Sequence, residues 1–215
     1  MHKLTRGPAP KCLSRYNYRL GHYWRDVTTQ EKSEIWESLE LMQGRRCAYC
    51  ECDITDHKKS EIEHFRQRNQ YGLGTFEWSN LFGSCNRDYS CGKHKDRLQY
   101  RYEYLDLIKM DVDDPEDYLR FMVSGEVVVK PGLSVDKERR AQETIRIFNL
   151  NGPLRKIRET HIQGYLQTAE ELLEIAAEYG PDQMYELLEQ ELIAIRGLPH
   201  ETAIRHVLLL GRLSL

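Results

Sequence analysis

The chain has 215 residues, of which 40% are hydrophobic and 30% are charged. This composition is ordinary for a globular protein of one large or two small domains, and no stretch reaches the roughly 20 apolar residues of a membrane helix. The first residues hold no apolar run that would serve as a signal peptide, so we expect a cytoplasmic protein. In that reducing compartment, six cysteines indicate metal binding rather than disulfides.

Charge is divided unevenly along the chain, although it sums to only −3. Residues 1–110 contain 19 Lys and Arg against 15 Asp and Glu, whereas residues 111–215 contain 12 against 19. The first region therefore has a net charge of +4 and the second one of −7. This asymmetry favours contact with nucleic-acid phosphates in the first region and other contacts in the second.

The chain begins with a basic arm over residues 1–27, whose cations alternate with Tyr16, Tyr18, Tyr23 and Trp24. Aromatic rings among cations suit a nucleic-acid contact with base stacking, and the alternative is an arm whose rings pack on the core. A capping box, Thr28-Thr29-Gln30-Glu31, then predicts a helix over residues 29–43 that ends at Gly44. A tight knuckle at Cys47-x-x-Cys50 follows, then a strand over residues 60–65, a loop over 66–76, a second strand near 78–82 and a helix over 91–100.

The pattern changes after residue 111. Alternating apolar residues predict a β-hairpin over 118–123 and 126–130, and the chain is expected to be helical from Ser134. Three more helices should follow, at about 153–178, 181–196 and 200–211. We therefore predict an α+β fold with a first domain over 1–110, made of the basic arm, a helix and the strand–strand–helix segment, and a hairpin with a helical region over 111–215. No GxxxxGK[ST] loop occurs, so nucleotide hydrolysis by this chain is not indicated.

Four cysteines stand in two pairs, Cys47 with Cys50 and Cys85 with Cys91. The first pair has the spacing of a zinc knuckle, and the second is wider than the commonest spacing. Four thiolates make a tetrahedral structural zinc site, which would replace the core that so short a segment lacks. Cys52 is an alternative ligand, and free buried thiols are the competing interpretation. Cys12 is expected to take no part.

A carboxylate and a histidine are neighbours at Glu63-His64, between the cysteine pairs, and His94 follows the last cysteine. A one-metal phosphodiesterase needs a carboxylate and a histidine to hold a divalent ion, and another histidine to deprotonate water. On a strand, Glu63 and His64 point to opposite faces, unless a twist or a bulge brings both into one cleft. The alternative is a purely structural strand histidine.

The order of these residues resembles that of the HNH (ββα-metal) endonucleases. The resemblance implies a zinc-stapled ββα-metal core, with His64 as general base and Glu63 as a ligand of a catalytic Mg²⁺ or Mn²⁺, where many relatives have Asp. It implies that Asn80 braces the loop and orients the histidine. It also implies that His94 is a metal ligand, with Asn86 as the alternative. Neighbouring cations would contact the nucleic-acid backbone, namely Arg66, Arg68, Lys93, Lys95 and Arg97.

Longer motifs resemble, more narrowly, the HNH nucleases called PtuB. They include Cys-Ala-Tyr-Cys-Glu, Ile-Glu-His-Phe-Arg, Trp-x-Asn-Leu-Phe-x-Ser-Cys and Cys-Gly-x-His-Lys-Asp, and the resemblance covers about residues 1–158. It implies a PtuA-type ATPase partner and an antiphage role in a Septu or a retron-associated system, which the chain does not distinguish. It also implies cleavage of nucleic-acid phosphodiesters, with DNA expected more often than RNA such as tRNA.

A non-catalytic zinc module that binds or scaffolds is the competing hypothesis. Glu63, His64 and His94 together favour the enzyme, because a scaffold needs only the cysteines. The acidic helices, with the apolar run Val207-Leu208-Leu209-Leu210, should pack on each other, and their spare surface suits protein better than phosphate. We expect residues from about 153 to 215 to hold the ATPase partner, with a homodimer as the alternative.

Overall fold

The computed structural model describes residues 1–98 and 102–209. The described residues form an α+β fold with six α-helices and two antiparallel sheets of two strands each. In chain order the elements are α1 (Thr29–Gln43), β1 (Ser60–His64), β2 (Leu81–Cys85), α2 (Cys91–Arg97), β3 (Leu119–Phe121), β4 (Val127–Val129), α3 (Val135–Ile147), α4 (Pro153–Tyr179), α5 (Pro181–Ala194) and α6 (Glu201–Leu208).

Helix α1 has the bounds that its sequence predicts. The Oγ1 of Thr28 accepts a hydrogen bond from the Glu31 N–H at 3.3 Å, and the Glu31 carboxylate accepts from the Thr28 N–H at 3.0 Å. This reciprocal pair satisfies two backbone donors that a helix start leaves unpaired. At the other end Gly44 has φ 61°, the left-handed conformation that glycine adopts without strain.

Strands β1 and β2 pair in a register that sets Ile62 opposite Gly83 and His64 opposite Leu81. The second strand begins later than residues 78–82 predict, because Trp78–Asn80 forms a 3₁₀ turn. The Asn80 side chain is bonded to the loop backbone there, so these residues make a corner instead of an extended segment. Helix α2 then ends at Arg97, and Tyr100, where the predicted helix ends, lies outside the described residues.

The acidic region follows the predicted order with shorter strands. Hairpin strands β3 and β4 have three residues each, and α3 begins after Ser134, whose hydroxyl caps it. Gly180, with φ 94°, and Pro181 separate α4 from α5. The predicted last helix is α6, while Leu210 of the apolar run lies outside the described residues. Among the helices that the structure describes, none combines the length and apolar composition needed to cross a bilayer.

The basic and acidic regions are in contact around the knuckle. The Glu51 carboxylate accepts hydrogen bonds from the N–H and the hydroxyl of Thr202, at 3.0 and 2.5 Å. Arg46 forms an ion pair with Glu201 at 2.7 Å. One cluster of buried apolar side chains includes residues of both regions. The helical region therefore lies against the knuckle. A domain boundary near residue 110 stays a prediction.

The N-terminal arm, residues 1–27, packs against the rest of the chain. Leu4 and Leu13 are buried, and the Leu4 N–H donates to the Met110 carbonyl at 2.8 Å. The ring of Tyr16 stacks on Phe76 with 5.0 Å between centroids. The packing interpretation of this segment is therefore confirmed for part of its rings, while Tyr18 and Tyr23 remain exposed.

Candidate functional site

Four cysteines converge on one buried point. Cys47 and Cys50 lie in the knuckle after α1, Cys85 ends β2, and Cys91 begins α2. Their four Sγ atoms lie within 4.8 Å of one another, and the Cys47–Cys91 and Cys50–Cys85 pairs are each 3.8 Å apart. A tetrahedron of sulfurs about 2.3 Å from a central zinc has edges of about 3.8 Å, so the donor set fits this metal.

The four thiols differ in acidity. Burial opposes ionisation of Cys47, but hydrogen bonds from the neighbouring cysteines hold the pKa of its thiol well below the usual value, whereas burial and the neighbouring thiols hold the pKa of Cys91 well above it. Thiolates are the form that binds zinc, which when bound would tie the knuckle to β2 and α2. Cys52 is buried but lies outside the set of four, and the Cys12 thiol donates instead to the Glu31 carbonyl.

His64 ends β1 on the side that faces the N-terminal arm. Its Nε2 lies 3.0 Å from the Thr75 carbonyl, which can only accept, so Nε2 carries the hydrogen and Nδ1 is the basic nitrogen. The ring meets Trp24 edge to face at 4.6 Å. Burial, with the nearby Arg68 charge, lowers the pKa of His64 to about 3. The imidazole is therefore neutral at pH 7 with a free lone pair on Nδ1, and the lowered pKa makes that nitrogen a weak base.

Asn80 holds together the loop beside His64. Its side-chain oxygen accepts from the Arg66 N–H at 2.7 Å, and its side-chain nitrogen donates to the carbonyls of Arg66 and Gly74, at 3.1 and 3.0 Å. Both segments adjoin the histidine, because Arg66 follows β1 and Gly74 precedes Thr75. The amide thereby positions the carbonyl that orients the imidazole.

Glu63 points to the opposite face of β1, towards α2. Its carboxylate forms an ion pair with Lys95 and accepts a hydrogen bond from the Tyr49 hydroxyl. The Lys95 side chain is fully buried, and Glu63 raises the pKa of its ammonium although burial opposes that charge. The prediction that Lys95 contacts a phosphate is therefore wrong, because its ammonium faces the protein interior.

Helix α2 can approach Glu63 because it has a glycine there. A Cβ at Gly92 would overlap the Cγ of Glu63 and press on the Ser84 hydroxyl. His94, two residues on, points elsewhere, since its Nδ1 lies 2.9 Å from the Ile147 carbonyl at the end of α3. Asn86, the alternative ligand, donates to the Lys58 carbonyl at 3.0 Å.

The donors predicted for a catalytic ion thus do not converge in this structure. The Glu63 carboxylate is neutralised by an ammonium, and the ring of His94 faces a different element. Among the described residues, the four cysteines are the one group of three or more Cys, His, Asp or Glu side chains that lie close enough together to hold a metal ion. The residues present fit zinc at the cysteines and do not fit a divalent ion held by Glu63 with His94.

The remaining cations lie on two sides of the motif. The Arg66 guanidinium lies between the rings of Tyr71 and Tyr104, at 3.4 and 3.9 Å from their centroids. Arg68 is exposed beside His64, and Lys93 is half-buried on α2. Arg97 forms an ion pair with Asp88 at 2.7 Å.

A cavity of about 480 Å³ is lined by Trp24 and Thr75, which both contact His64, while the buried His64 ring is not among its described lining residues. Tyr18, Tyr23 and Arg25 of the N-terminal arm form much of its wall. Sequence reasoning noted these side chains but did not place them beside His64. Two features of the sequence could have indicated this cavity, namely the alternation of rings and cations in the N-terminal arm and the glycines in the loop over residues 66–76.

Comparison with known proteins agrees with the motif pattern. The chain is similar to the Septu protein PtuB of Bacillus thuringiensis, with 27% identity over 154 residues. The aligned part covers 69% of this chain and 54% of that protein, so the chain spans about half the length of its relative. No family model matches the chain.

Proposed function

We propose that this protein hydrolyses nucleic-acid phosphodiesters as an effector of an antiphage defence system. The observation that carries the proposal is His64, a neutral imidazole oriented by the Thr75 carbonyl behind a cavity of rings and cations. Similarity to a Septu protein supports the defence role. The strand–strand–helix order around four cysteines supports an HNH-type core.

In this proposal His64 is the general base. Its Nδ1 takes a proton from a water molecule, whose oxygen forms a bond to phosphorus as the bond to the leaving oxygen breaks. The leaving oxygen keeps the bonding electron pair and takes up a proton from solvent. The exposed guanidinium of Arg68 lies close enough to influence the imidazole, and it would balance the charge that develops on the phosphate. Asn80 acts as a positioning residue through the loop that carries Thr75. Zinc, when bound at the cysteines, would hold the knuckle, β2 and α2 together and take no part in the chemistry.

The test is cleavage by a His64→Ala variant. Loss of a general base lowers the rate about 10²–10⁴-fold, and cleavage of plasmid, single-stranded DNA and RNA, each with Mg²⁺ or Mn²⁺ added, measures it. His161→Ala is the matched control, because His161 is exposed on α4. Should His64→Ala cut as fast as the parent, with zinc still bound, the catalytic assignment is wrong and the zinc module that only binds is favoured.

We further propose that the helical region docks a PtuA-type ATPase. Several apolar side chains on α4 and α5 are exposed, including Tyr179 at 60% and Ile193 at 54%. Removing the region would also remove the Thr202 contact with Glu51, so truncation is a poor test. The double variant Leu187→Asp with Ile193→Asp should abolish co-purification with the ATPase. Leu41→Asp, at an exposed position of α1, should not. Retained binding would place the docking surface elsewhere, and a shift from dimer to monomer would indicate self-association.

A further inference from the structure

Three cavities lie beside one another, and the N-terminal arm forms part of the wall of two of them. The central one, of about 480 Å³, shares Arg68 and Asn69 with a neighbour of about 350 Å³. It shares Tyr18 with a third cavity of about 460 Å³, which Arg19 and Tyr71 also line. Neighbouring cavities share lining residues, so the three lie side by side on one face and together make up a groove.

The groove combines aromatic faces with positive charge. Tyr18 and Tyr23 are 39% and 48% exposed, and the Arg25 guanidinium lies 5.0 Å from the ring centroid of Tyr23. None of the described residues that line the central cavity is acidic. One carboxylate lies in each outer cavity, Asp96 in one and Glu77 in the other. The central cavity is therefore lined by two cations and no carboxylate, while Asp26, next to the lining, pairs with Arg25 at 4.0 Å.

The rings are held in place by the fold. The ring of Tyr18 packs against Gly72, where any Cβ would overlap it. The glycine therefore allows the loop over residues 66–76 to contact the ring directly. The Asn17 side chain caps the turn that carries Tyr18, and Tyr23 meets Tyr18 edge to face at 6.1 Å. Rings fixed before binding lose little conformational entropy when a base stacks on them.

We propose that this groove binds single-stranded nucleic acid. Unpaired bases would stack on Tyr23 and Tyr18, and the backbone would lie along Arg25 and Arg68. A duplex hides the faces of its bases, so exposed rings between cations recognise an unpaired strand, in DNA or RNA and with little dependence on sequence. The inference rests on the proposed hydrolase function, because Trp24 and Thr75 link the groove to His64. It assigns that hydrolase an unpaired strand as substrate.

The experiment measures binding separately from cleavage. The full chain, without added divalent ions, is titrated into labelled oligonucleotides of about 12 nucleotides, and fluorescence anisotropy reports the Kd. Single-stranded DNA, single-stranded RNA and a blunt duplex are compared. Tyr23→Ala is the main variant because its ring is half exposed and its loss should leave the fold intact. Tyr23→Phe retains the ring, and Tyr179→Ala removes an exposed ring on α4.

We expect single strands to bind at least about ten-fold more tightly than the duplex, and Tyr23→Ala to weaken that binding about ten-fold. Tyr23→Phe and Tyr179→Ala should bind as the parent does. Equal or tighter binding of the duplex, or an unchanged Kd for Tyr23→Ala, overturns the inference. Neither result affects the cleavage test of His64, so the two proposals fail separately. The ratio of DNA to RNA affinity identifies which polymer is preferred.

Discussion

Two neighbouring residues, Glu63 and His64, have opposite surroundings. Side chains alternate along a strand, so His64 faces the N-terminal arm while Glu63 faces α2. The histidine is oriented by one carbonyl and retains a basic nitrogen. The carboxylate is enclosed by Lys95 and Tyr49. At the residue scale, adjacency in the motif therefore does not place both groups in one cleft.

The Lys95→Ala variant tests this description of Glu63. It would leave a buried carboxylate without its partner, which costs about 3–5 kcal/mol of unfolding free energy. Lys93→Ala is the control, since among the described residues this half-buried lysine on the same helix forms no direct ion pair, although its charge favours the ionised form of Glu61. Urea unfolding measures both. A loss below about 1 kcal/mol, with Mn²⁺ bound more tightly than by the parent, would instead favour Glu63 as a metal ligand.

At the scale of elements, α2 is placed by two features of its first turn. Cys91 contributes to the cysteine cluster, and its N–H donates to the Phe148 carbonyl at 3.0 Å. Gly92 then allows the helix to contact β1, because it has no side chain to meet Glu63. The helix therefore depends on tertiary contacts more than on its own seven residues.

A pair of glycine substitutions separates packing from helix propensity. Gly92→Ala should lower the unfolding free energy by about 1–3 kcal/mol, because its Cβ overlaps a buried side chain. Gly164→Ala, on α4, should raise it by about 0.5–1 kcal/mol, since nothing lies within 4 Å of the added Cβ. Chemical denaturation checks both. If Gly92→Ala leaves stability unchanged or raises it, as Gly164→Ala is expected to do, the close packing of α2 on β1 is contradicted.

At the scale of the whole molecule, the cysteine cluster joins segments that lie far apart in the chain. The knuckle contacts α6 through Glu51, and α2 contacts α3 through the carbonyls of Ile147 and Phe148. A metal at the cysteines would therefore stabilise the basic region directly and the helical region through these contacts. Loss of the metal should therefore destabilise both regions.

We expect about one tightly bound zinc ion per chain. Cys85→Ser should remove it and lower the melting temperature and solubility, because metal binding is part of folding. Cys12→Ser is the control, since that buried thiol lies outside the cluster. Elemental analysis and thermal unfolding measure the effect. Protein purified without chelator and found free of zinc would contradict the prediction.

Sequence by itself determined the features that depend on neighbouring residues. The bounds of α1 follow from the capping box and Gly44, and the order of strands, hairpin and helices follows from local periodicity. The four cysteines that converge were also predicted, because a zinc knuckle has a short and characteristic spacing. Asn80 was expected to brace the loop, and its hydrogen bonds now specify the carbonyls involved.

Tertiary structure alone decided what depends on distant residues. Lys95 looks like a surface cation in the sequence, yet α2 carries it beneath β1 to Glu63. His94 is directed by the end of α3, about 50 residues later in the chain, so no local pattern could indicate its partner. The groove likewise exists only where the N-terminal arm meets the loop over residues 66–76. Burial and ion pairing arise when elements pack, and a linear pattern does not contain that geometry.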